Sequence, residues 1–229
     1  MSKRNKLEKF EQLASFPNTY QNYDAKIPEI TNHQQQVVDL KGKWLSDHFK
    51  NDWPLVLELA CGRGEYALGL GRMFPKKNFV GLDIKGARIW QGAGIALQEG
   101  LHNVAFLRTK IEMIQNFFAE QEISEIWITF PDPFLKQRKS SRRLTAAGFL
   151  DEYKRVLRPG GIIHLKTDEL RLYDFTREVL ATYPSRTLFS SADLYTTPDL
   201  DPRWSLTTHY EQLHIADGDQ ICGISFQLL

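Results

Sequence analysis

A single carboxylate stands between an apolar stretch and a run of basic residues. The stretch Ile126 to Phe130 leads into Pro131, Asp132 and Pro133, and five basic residues follow: Lys136, Arg138, Lys139, Arg142 and Arg143. Proline fixes its own φ and favours extended geometry in the residue before it, so Asp132 has little conformational freedom. Asp132 is a candidate for a reaction centre, against which the basic run would hold a polyanion. A Pro-bounded turn followed by a solvated loop explains the same stretch about equally well.

A second group of residues has the types that surround a nucleotide-like cofactor. Gly62 and Gly64 follow an apolar run that contains Glu58, and Asp83 ends the next apolar run, 19 residues after Gly64. Glycines let the backbone approach a ligand closely, and an acid at the second strand end accepts hydrogen bonds from a ribose diol. Asp83 would repel the 2′-phosphate of NADP, and Glu58 would repel a pyrophosphate. A positively charged cofactor such as S-adenosylmethionine fits better; the alternative is a tight turn with capping carboxylates.

Asp168 extends this pattern, because it follows the fifth predicted strand as Asp132 follows the fourth. In an open parallel sheet the ligand crevice lies beyond the carboxyl ends of the strands, so both side chains should reach it. Asp132 could stabilise positive charge on a heteroaromatic methyl acceptor, and Asp168 could accept from a guanine N–H edge. An N-cap of the following helix explains Asp168 equally well. The basic run would bind phosphates in a salt-dependent way.

The elements that must position these residues alternate along the chain from residue 53. Strands are predicted at 54–60, 78–83, 104–107, 125–130, 162–166, 186–189 and 220–228. Helices are predicted at 37–50, 64–73, 86–100, 111–120, 145–157, 169–183 and 206–215. This alternation predicts an α/β fold with a mostly parallel seven-stranded sheet, helices on both faces and an antiparallel last strand at the edge.

The first 36 residues predict a separate N-terminal arm before a domain that spans 37–229. Leu7, Phe10, Leu13 and Phe16 have the spacing of a short amphipathic helix. Loose packing of this arm on the domain is the favoured expectation. Contact between its lysines and a polyanion is a weaker possibility.

Composition sets the limits on class and partners. A chain of 229 residues with 42% hydrophobic and 25% charged residues suits one large soluble domain. A net charge of +1 means that any nucleic-acid contact must come from a local patch. Cys61 and Cys222 have no paired spacing, which predicts neither a disulfide scaffold nor a metal site and favours a reducing cytosol. The absence of an apolar signal core or of a run of about 18 apolar residues predicts neither secretion nor a membrane span.

Taken together, these residues resemble the bacterial tRNA (guanine-N7-)-methyltransferases. The motif Phe130-Pro131-Asp132-Pro133 and the basic run through Leu144 carry the resemblance. Further support comes from Glu58 with the glycine turn, residues 157–161 (Leu-Arg-Pro-Gly-Gly), His164 with Thr167-Asp168, and Thr208 to Glu211. The likeness runs from about residue 50 to the end. It implies a Rossmann-like methyltransferase fold, S-adenosylmethionine as donor, and N7 of a guanine in the tRNA variable loop (position 46) as acceptor. A cytoplasmic monomer or homodimer would fit.

The resemblance also implies a role for each matching residue. Asp132 would be the catalytic residue. Cofactor-binding residues would be Glu58, Gly62, Gly64, Asp83, Lys110 and Asp132. Substrate-binding residues would be Lys136, Asp168, Thr208, His209, Tyr210 and Glu211. RNA-backbone contacts would be Arg138, Lys139, Arg142 and Arg143. For Glu211, a place in the first turn of a helix is a comparable alternative to a contact with the guanine edge.

Three positions depart from the family pattern. Lys110 stands where the family usually has an acid or amide that holds the adenine amino group. Lysine has no acceptor, so we expect that contact to move to a backbone group or to be lost. Phe134 replaces a tryptophan, and His209-Tyr210 replaces the commoner lysine and phenylalanine.

Two other functions remain open from the residues alone. One is methyl transfer to a small molecule or a protein, which predicts no tRNA affinity. The other is a nucleic-acid-binding module with a vestigial cofactor pocket, which predicts binding without turnover.

Overall fold

Ten strands form a single sheet in the computed structural model, which describes residues 3–216 and 220–229. The strands are β1 (Thr19–Gln21), β2 (Ile30–Thr31), β3 (Val37–Val38), β4 (Leu55–Leu59), β5 (Asn78–Asp83), β6 (Val104–Arg108), β7 (Ile123–Thr129), β8 (Leu157–Thr167), β9 (Ser185–Ser191) and β10 (Cys222–Leu228). Their order across the sheet is β3-β2-β1-β6-β5-β4-β7-β8-β10-β9.

The centre of the sheet is parallel, as the alternation of elements predicts. Strands β1, β6, β5, β4, β7 and β8 all pair in parallel. Every residue of β4, β5 and β7 is buried, because both faces of the sheet are covered. The antiparallel last strand is confirmed, but its place at the edge is wrong. Strand β10 lies between β8 and β9 because it is apolar, whereas β9 is half exposed and suits the edge.

The prediction of seven strands is wrong because the N-terminal region adds three more. Strands β1, β2 and β3 continue the sheet beyond β6, and each is only two or three residues long. Elements this short have no detectable hydrophobic period. The described part of the arm is not loosely packed, since Leu13 is fully buried and Thr19 pairs with Phe106. Residues 1 and 2 lie outside the described residues.

Seven α-helices accompany the sheet within the described ranges. They are α1 (Lys3–Ser15), α2 (Glu65–Met73), α3 (Gly86–Gln98), α4 (Ile114–Phe117), α5 (Ala147–Val156), α6 (Leu170–Thr182) and α7 (His209–Ala216). Apolar side chains of α1, α2 and α3 pack on one face, and those of α4, α5 and α6 pack on the other. Helices on both faces are thus confirmed. None of the helices described is long and apolar enough to span a membrane.

Two predicted helices are only partly confirmed. Residues 37–50 contain β3 and a six-residue π-helix, Trp44–Phe49, and residues 111–120 contain a 3-10 turn, Ile111–Met113, followed by the short α4. The Trp44 indole explains both departures: its Nε1 donates to the Phe117 carbonyl at 2.9 Å, and its ring stacks on Phe118. These tertiary contacts outweigh the weak local helix propensity.

Candidate active site

The loops after the parallel strands enclose one cleft at the carboxyl ends of the sheet. Two adjoining cavities of about 410 and 350 Å³ share the residues Ala60, Arg88, Phe130, Pro131 and Asp132. We call the loops after β4, β5 and β6 (residues 60–65, 83–88 and 109–112) the glycine-turn side. We call the loops after β7 and β8 with the start of α7 (residues 130–134, 167–169 and 208–210) the Asp132 side.

Two of the residues that line both cavities have a left-handed backbone conformation. Ala60 ends β4 with φ 55°, and Phe130 ends the adjacent β7 with φ 47°. This conformation is costly for residues with a Cβ, and more so before a proline. The Phe130 N–H donates to the Lys166 carbonyl at 2.8 Å, which fixes the turn to β8. At these two residues the backbone leaves β4 and β7 and turns away from the sheet; strained residues of this kind are common at functional clefts.

The glycine turn and Asp83 hold each other in place. The Asp83 carboxylate accepts from the Gly62 N–H at 2.9 Å and from the Lys85 N–H at 2.7 Å, and it lines the second cavity. Gly62 lines the first cavity with open space where a side chain would stand. Gly64 has φ 68°, and a Cβ there would lie 2.3 Å from the Phe106 ring. Gly62 is therefore the close-approach position, whereas Gly64 serves the turn.

Glu58 lies beneath this turn rather than on the wall of either cavity. Its carboxylate accepts from the Ala67 N–H at 2.8 Å and from the Thr129 hydroxyl at 3.2 Å. Burial raises the pKa of Glu58 to about 8, because loss of contact with water disfavours the charged form of the carboxylate. A positively charged ligand in the cleft would lower that pKa again. A buried carboxylate beneath the glycine turn therefore fits a cationic cofactor.

Lys110 lies on the wall of the second cavity, as its predicted cofactor role requires, but its side chain offers no acceptor. Glu112, two residues later, lines the same cavity and does offer one. Sequence reasoning missed Glu112, because it looked for the acid directly after the third predicted strand. It also missed Arg63, Glu65 and Arg88, which line the first cavity from within or near the glycine turn.

Asp132, Asp168 and Tyr210 come together on the Asp132 side. All three line the first cavity, together with Thr208 and His209. The Tyr210 hydroxyl donates to Asp168 Oδ2 at 3.4 Å. Asp168 is not the N-cap of α6: Glu169 takes that place and accepts from the Arg171 N–H at 3.1 Å. Asp168 is thus left facing the cleft.

Tyr210 also presents an aromatic surface at the mouth of the cleft. Its side chain is 49% exposed, and its ring centroid lies 5.8 Å from that of Phe130. The start of α7 is held in place by His209, whose N–H donates to Glu65 Oε1 at 3.1 Å. This bond connects the two sides of the cleft.

Glu211 does not face the cleft. It is fully buried, and its carboxylate is bound by Lys166, by the Tyr195 hydroxyl and by the Thr208 N–H. The predicted contact between Glu211 and a guanine edge therefore conflicts with the structure, because its oxygens are directed inward. The alternative, a residue of the first helical turn, is correct.

The basic run divides into exposed and buried residues. Lys136 and Arg138 are exposed, Lys139 is half-buried, and Arg142 is exposed on the wall of the second cavity, over the Phe134 ring. Arg143 is buried and donates to the carbonyls of Pro133 at 3.0 Å and Phe134 at 3.3 Å. The prediction that Arg143 contacts RNA is wrong, because its guanidinium supports the Pro-Asp-Pro turn.

Metal ligation has no obvious place in this site. Within the described ranges, no group of three or more His, Cys, Asp or Glu side chains could hold a metal ion. Both cysteines, Cys61 and Cys222, are buried free thiols.

Comparison with solved structures places the fold among methyltransferases. The 16S rRNA methyltransferase KamB superposes with a TM-score of 0.59 at 13% identity, covering 83% of this chain and 95% of that chain. An S-adenosylmethionine-dependent methyltransferase from Aquifex aeolicus gives a TM-score of 0.54 at 15% identity, covering 77% and 82%. The fold is therefore a Rossmann-like methyltransferase fold.

Comparison of sequences is more specific. Residues 52–223 match the family model described as "Putative methyltransferase". A tRNA (guanine-N(7)-)-methyltransferase of Bacteroides thetaiotaomicron is 46% identical over 98% of this chain and 86% of its own length. The enzyme of that name from Christiangramia forsetii is 45% identical over 100% of both chains. The chain therefore belongs to the tRNA (guanine-N(7)-)-methyltransferase family.

Proposed function

We propose that this protein transfers a methyl group from S-adenosylmethionine to N7 of a guanine in tRNA, at position 46 of the variable loop. The observation that carries the proposal is the place of Asp132, on the wall shared by the two cavities. A residue there can contact a donor on the glycine-turn side and an acceptor on the Asp132 side. The family relationship supports this assignment of the two sides.

The glycine-turn side would hold the donor, which supplies a methyl group on a positively charged sulfur. Asp83 would accept from the ribose hydroxyls, and the open backbone at Gly62 allows close approach. Glu112 offers an acceptor for the adenine amino group, in place of the family acid that Lys110 replaces. Glu58 would contribute its buried negative charge from beneath the turn.

The Asp132 side would hold the guanine. N7 of guanine has a free lone pair, so the protein must orient the base rather than remove a proton. The exposed ring of Tyr210 can stack on the base, and Asp168 can accept from its N–H edge. Asp132 would stabilise the positive charge that develops on the methylated ring.

The exposed basic residues of the loop after Asp132 would bind the tRNA backbone. Lys136, Arg138 and Arg142 can reach phosphates, whereas buried Arg143 cannot. Phosphate contacts carry no sequence information, so affinity should fall steeply with salt while base choice should not. With tRNA as the substrate, we propose that this activity is cytoplasmic.

The deciding experiment is incubation of the purified protein with unmodified tRNA and methyl-labelled S-adenosylmethionine, followed by nucleoside analysis. We expect labelled 7-methylguanosine from the wild-type transcript and none from a transcript with adenine at position 46. A folded protein that binds the donor but yields no 7-methylguanosine would overturn the proposal.

A further inference from the structure

A buried ion pair connects the sheet to the segment that carries Thr208 and Tyr210. Lys166, in β8, and Glu211, in α7, are both fully buried, and Lys166 Nζ lies 2.5 Å from Glu211 Oε1. The same ammonium donates to the carbonyls of Trp204 at 2.8 Å and Leu206 at 2.9 Å. Its three N–H groups thus have three acceptors, all on one segment of the chain.

Glu211 connects this ion pair to the wall of the cleft. Its Oε2 accepts from the Thr208 N–H at 3.2 Å, while the Thr208 hydroxyl accepts from the Glu211 N–H at 3.0 Å. This reciprocal pair is a capping box, which fixes the start of α7. The Tyr195 hydroxyl adds a bond of 2.5 Å to Glu211. Lys166 is therefore connected through Glu211 to Thr208, which lines the cleft.

Stability alone does not explain this arrangement. Burying two charges is costly, and an apolar pair of similar volume would usually stabilise a core at least as well. The chain between β9 and α7 is long and mostly irregular, so its position relative to Asp132 must be set by specific contacts. Directional bonds from a single ammonium group to two carbonyls and a carboxylate can set it.

We propose that Lys166 is a positioning residue, which holds Thr208 to Tyr210 opposite Asp132 and Asp168 so that the accepting base is bound in a fixed orientation. This inference rests on the proposed function and deepens it. Lys166 does not itself line either cavity of the cleft. Its effect should therefore fall on the base and not on the methyl donor.

The test compares Lys166→Met with the double variant Lys166→Met/Glu211→Gln. The single variant leaves a buried carboxylate unpaired, so we expect it to unfold at a temperature lower by about 10 °C. The double variant has no charge left at these two positions, and its glutamine can still cap Thr208, so much of that loss should be recovered. Arg72→Met is the control, because it breaks the Arg72–Glu99 ion pair at the opposite end of the sheet.

In the double variant we expect donor affinity within about 2-fold of wild type, and kcat/KM for tRNA lower by about 10- to 100-fold. Amide hydrogen exchange of residues 204–212 should become faster, with no change in the exchange of residues 83–88 on the glycine-turn side. Wild-type kcat/KM and wild-type exchange in a folded double variant would overturn the proposal. Arg72→Met should match wild type in all of these measurements.

Two further arms keep the test decisive. If the double variant does not fold, Glu211→Gln alone removes the charge that binds Lys166 while its amide oxygen can still cap Thr208. It should raise KM for tRNA about 3-fold, and an unchanged KM would contradict the proposal. Hydrogen exchange needs no substrate. If the wild type fails to methylate tRNA, the proposed function fails, while the exchange result still decides whether Lys166 fixes the segment.

Discussion

The glycine-turn side of the cleft is assembled from short stretches that each follow one strand, whereas the Asp132 side gathers residues from three distant parts of the chain. On the first side, Asp83 and Gly62 bond each other directly across adjacent strand ends. On the second, Tyr210 bonds Asp168 from α7, whose start is attached through buried contacts around Lys166 and Glu211 and through the bond from His209 to Glu65. The glycine-turn side is fixed by bonds to its own backbone, whereas the Asp132 side depends on buried contacts beneath the cleft wall.

This difference predicts where substitutions should act. Changes on the glycine-turn side should reduce donor binding, and changes on the Asp132 side should reduce turnover or tRNA binding. Five substitutions in four experiments test this separation, and they follow in order of expected effect.

Asp132→Asn should lower kcat by about 100- to 1000-fold, the effect of removing one preorganised charge from the reacting centre. Affinity for tRNA should stay within about 3-fold, because Asp132 supplies no phosphate contact. Single-turnover methylation and filter binding measure the two quantities. Asp52→Asn is a matched control, since Asp52 is an exposed carboxylate just before β4, at the opposite end of the sheet. Equal loss of turnover and tRNA binding would show that Asp132 is structural.

Asp83→Ala should weaken donor binding by about 10- to 100-fold, since hydrogen bonds to a charged acceptor contribute roughly 1.5–3 kcal/mol. Calorimetric titration with S-adenosylmethionine gives the dissociation constant. Binding of tRNA in the absence of donor should not change. A loss of tRNA binding as large as the loss of donor binding would contradict the separation of the two sides.

These two residues also show what sequence alone can predict. Asp83 and Asp132 were found because each ends a strand, and the carboxyl ends of parallel strands form the ligand crevice by topology. Burial of Arg143 and Glu211 could not be found this way, since both are charged residues in motifs that otherwise face the cleft. Their inward direction depends on contacts with Pro133 and Lys166, which no local pattern reveals.

The fold divides along the same line. Seven strands with clear apolar runs were predicted from the sequence, but β1 to β3 are too short to show a period. The π-helix Trp44–Phe49 likewise follows from the burial of Trp44 against Phe117 and Phe118. Long-range contacts decide both cases, and a single sequence does not state them.

Glu58→Gln should change the pH dependence of stability. Burial raises the pKa of Glu58 from 4.5 to about 8, so between these values the unfolded state loses a proton that the folded state keeps. The stability that Glu58 contributes is therefore present below about pH 4.5 and is lost as pH rises through about 8. The glutamine variant lacks this loss. Its free energy of unfolding should therefore increase relative to that of wild type as pH rises, by a few kcal/mol at most.

Urea unfolding at about pH 5 and about pH 8.5 measures this difference. Donor affinity gives a second readout: a cationic donor favours the charged form of Glu58, so wild-type affinity should rise with pH up to about 8 and the variant's should not. Parallel curves for the two proteins would show that Glu58 does not titrate in this range.

Arg138→Ala and Arg143→Ala should separate two basic residues that sequence reasoning treated alike. Because Arg138 is exposed, Arg138→Ala should lower tRNA affinity a few-fold. It should also reduce the slope of log affinity against log salt by about 1, the effect of one lost phosphate contact. Because Arg143 is buried, Arg143→Ala should instead lower the free energy of unfolding, since the carbonyls of Pro133 and Phe134 lose their donor. Arg158→Ala, an exposed arginine at the opposite end of the sheet, should change neither quantity. The contrary result is that Arg143→Ala reduces the salt slope as Arg138→Ala does and leaves the melting temperature unchanged. In that case the basic run would act as one phosphate-binding surface, and the division between exposed and supporting residues on the Asp132 side would not hold.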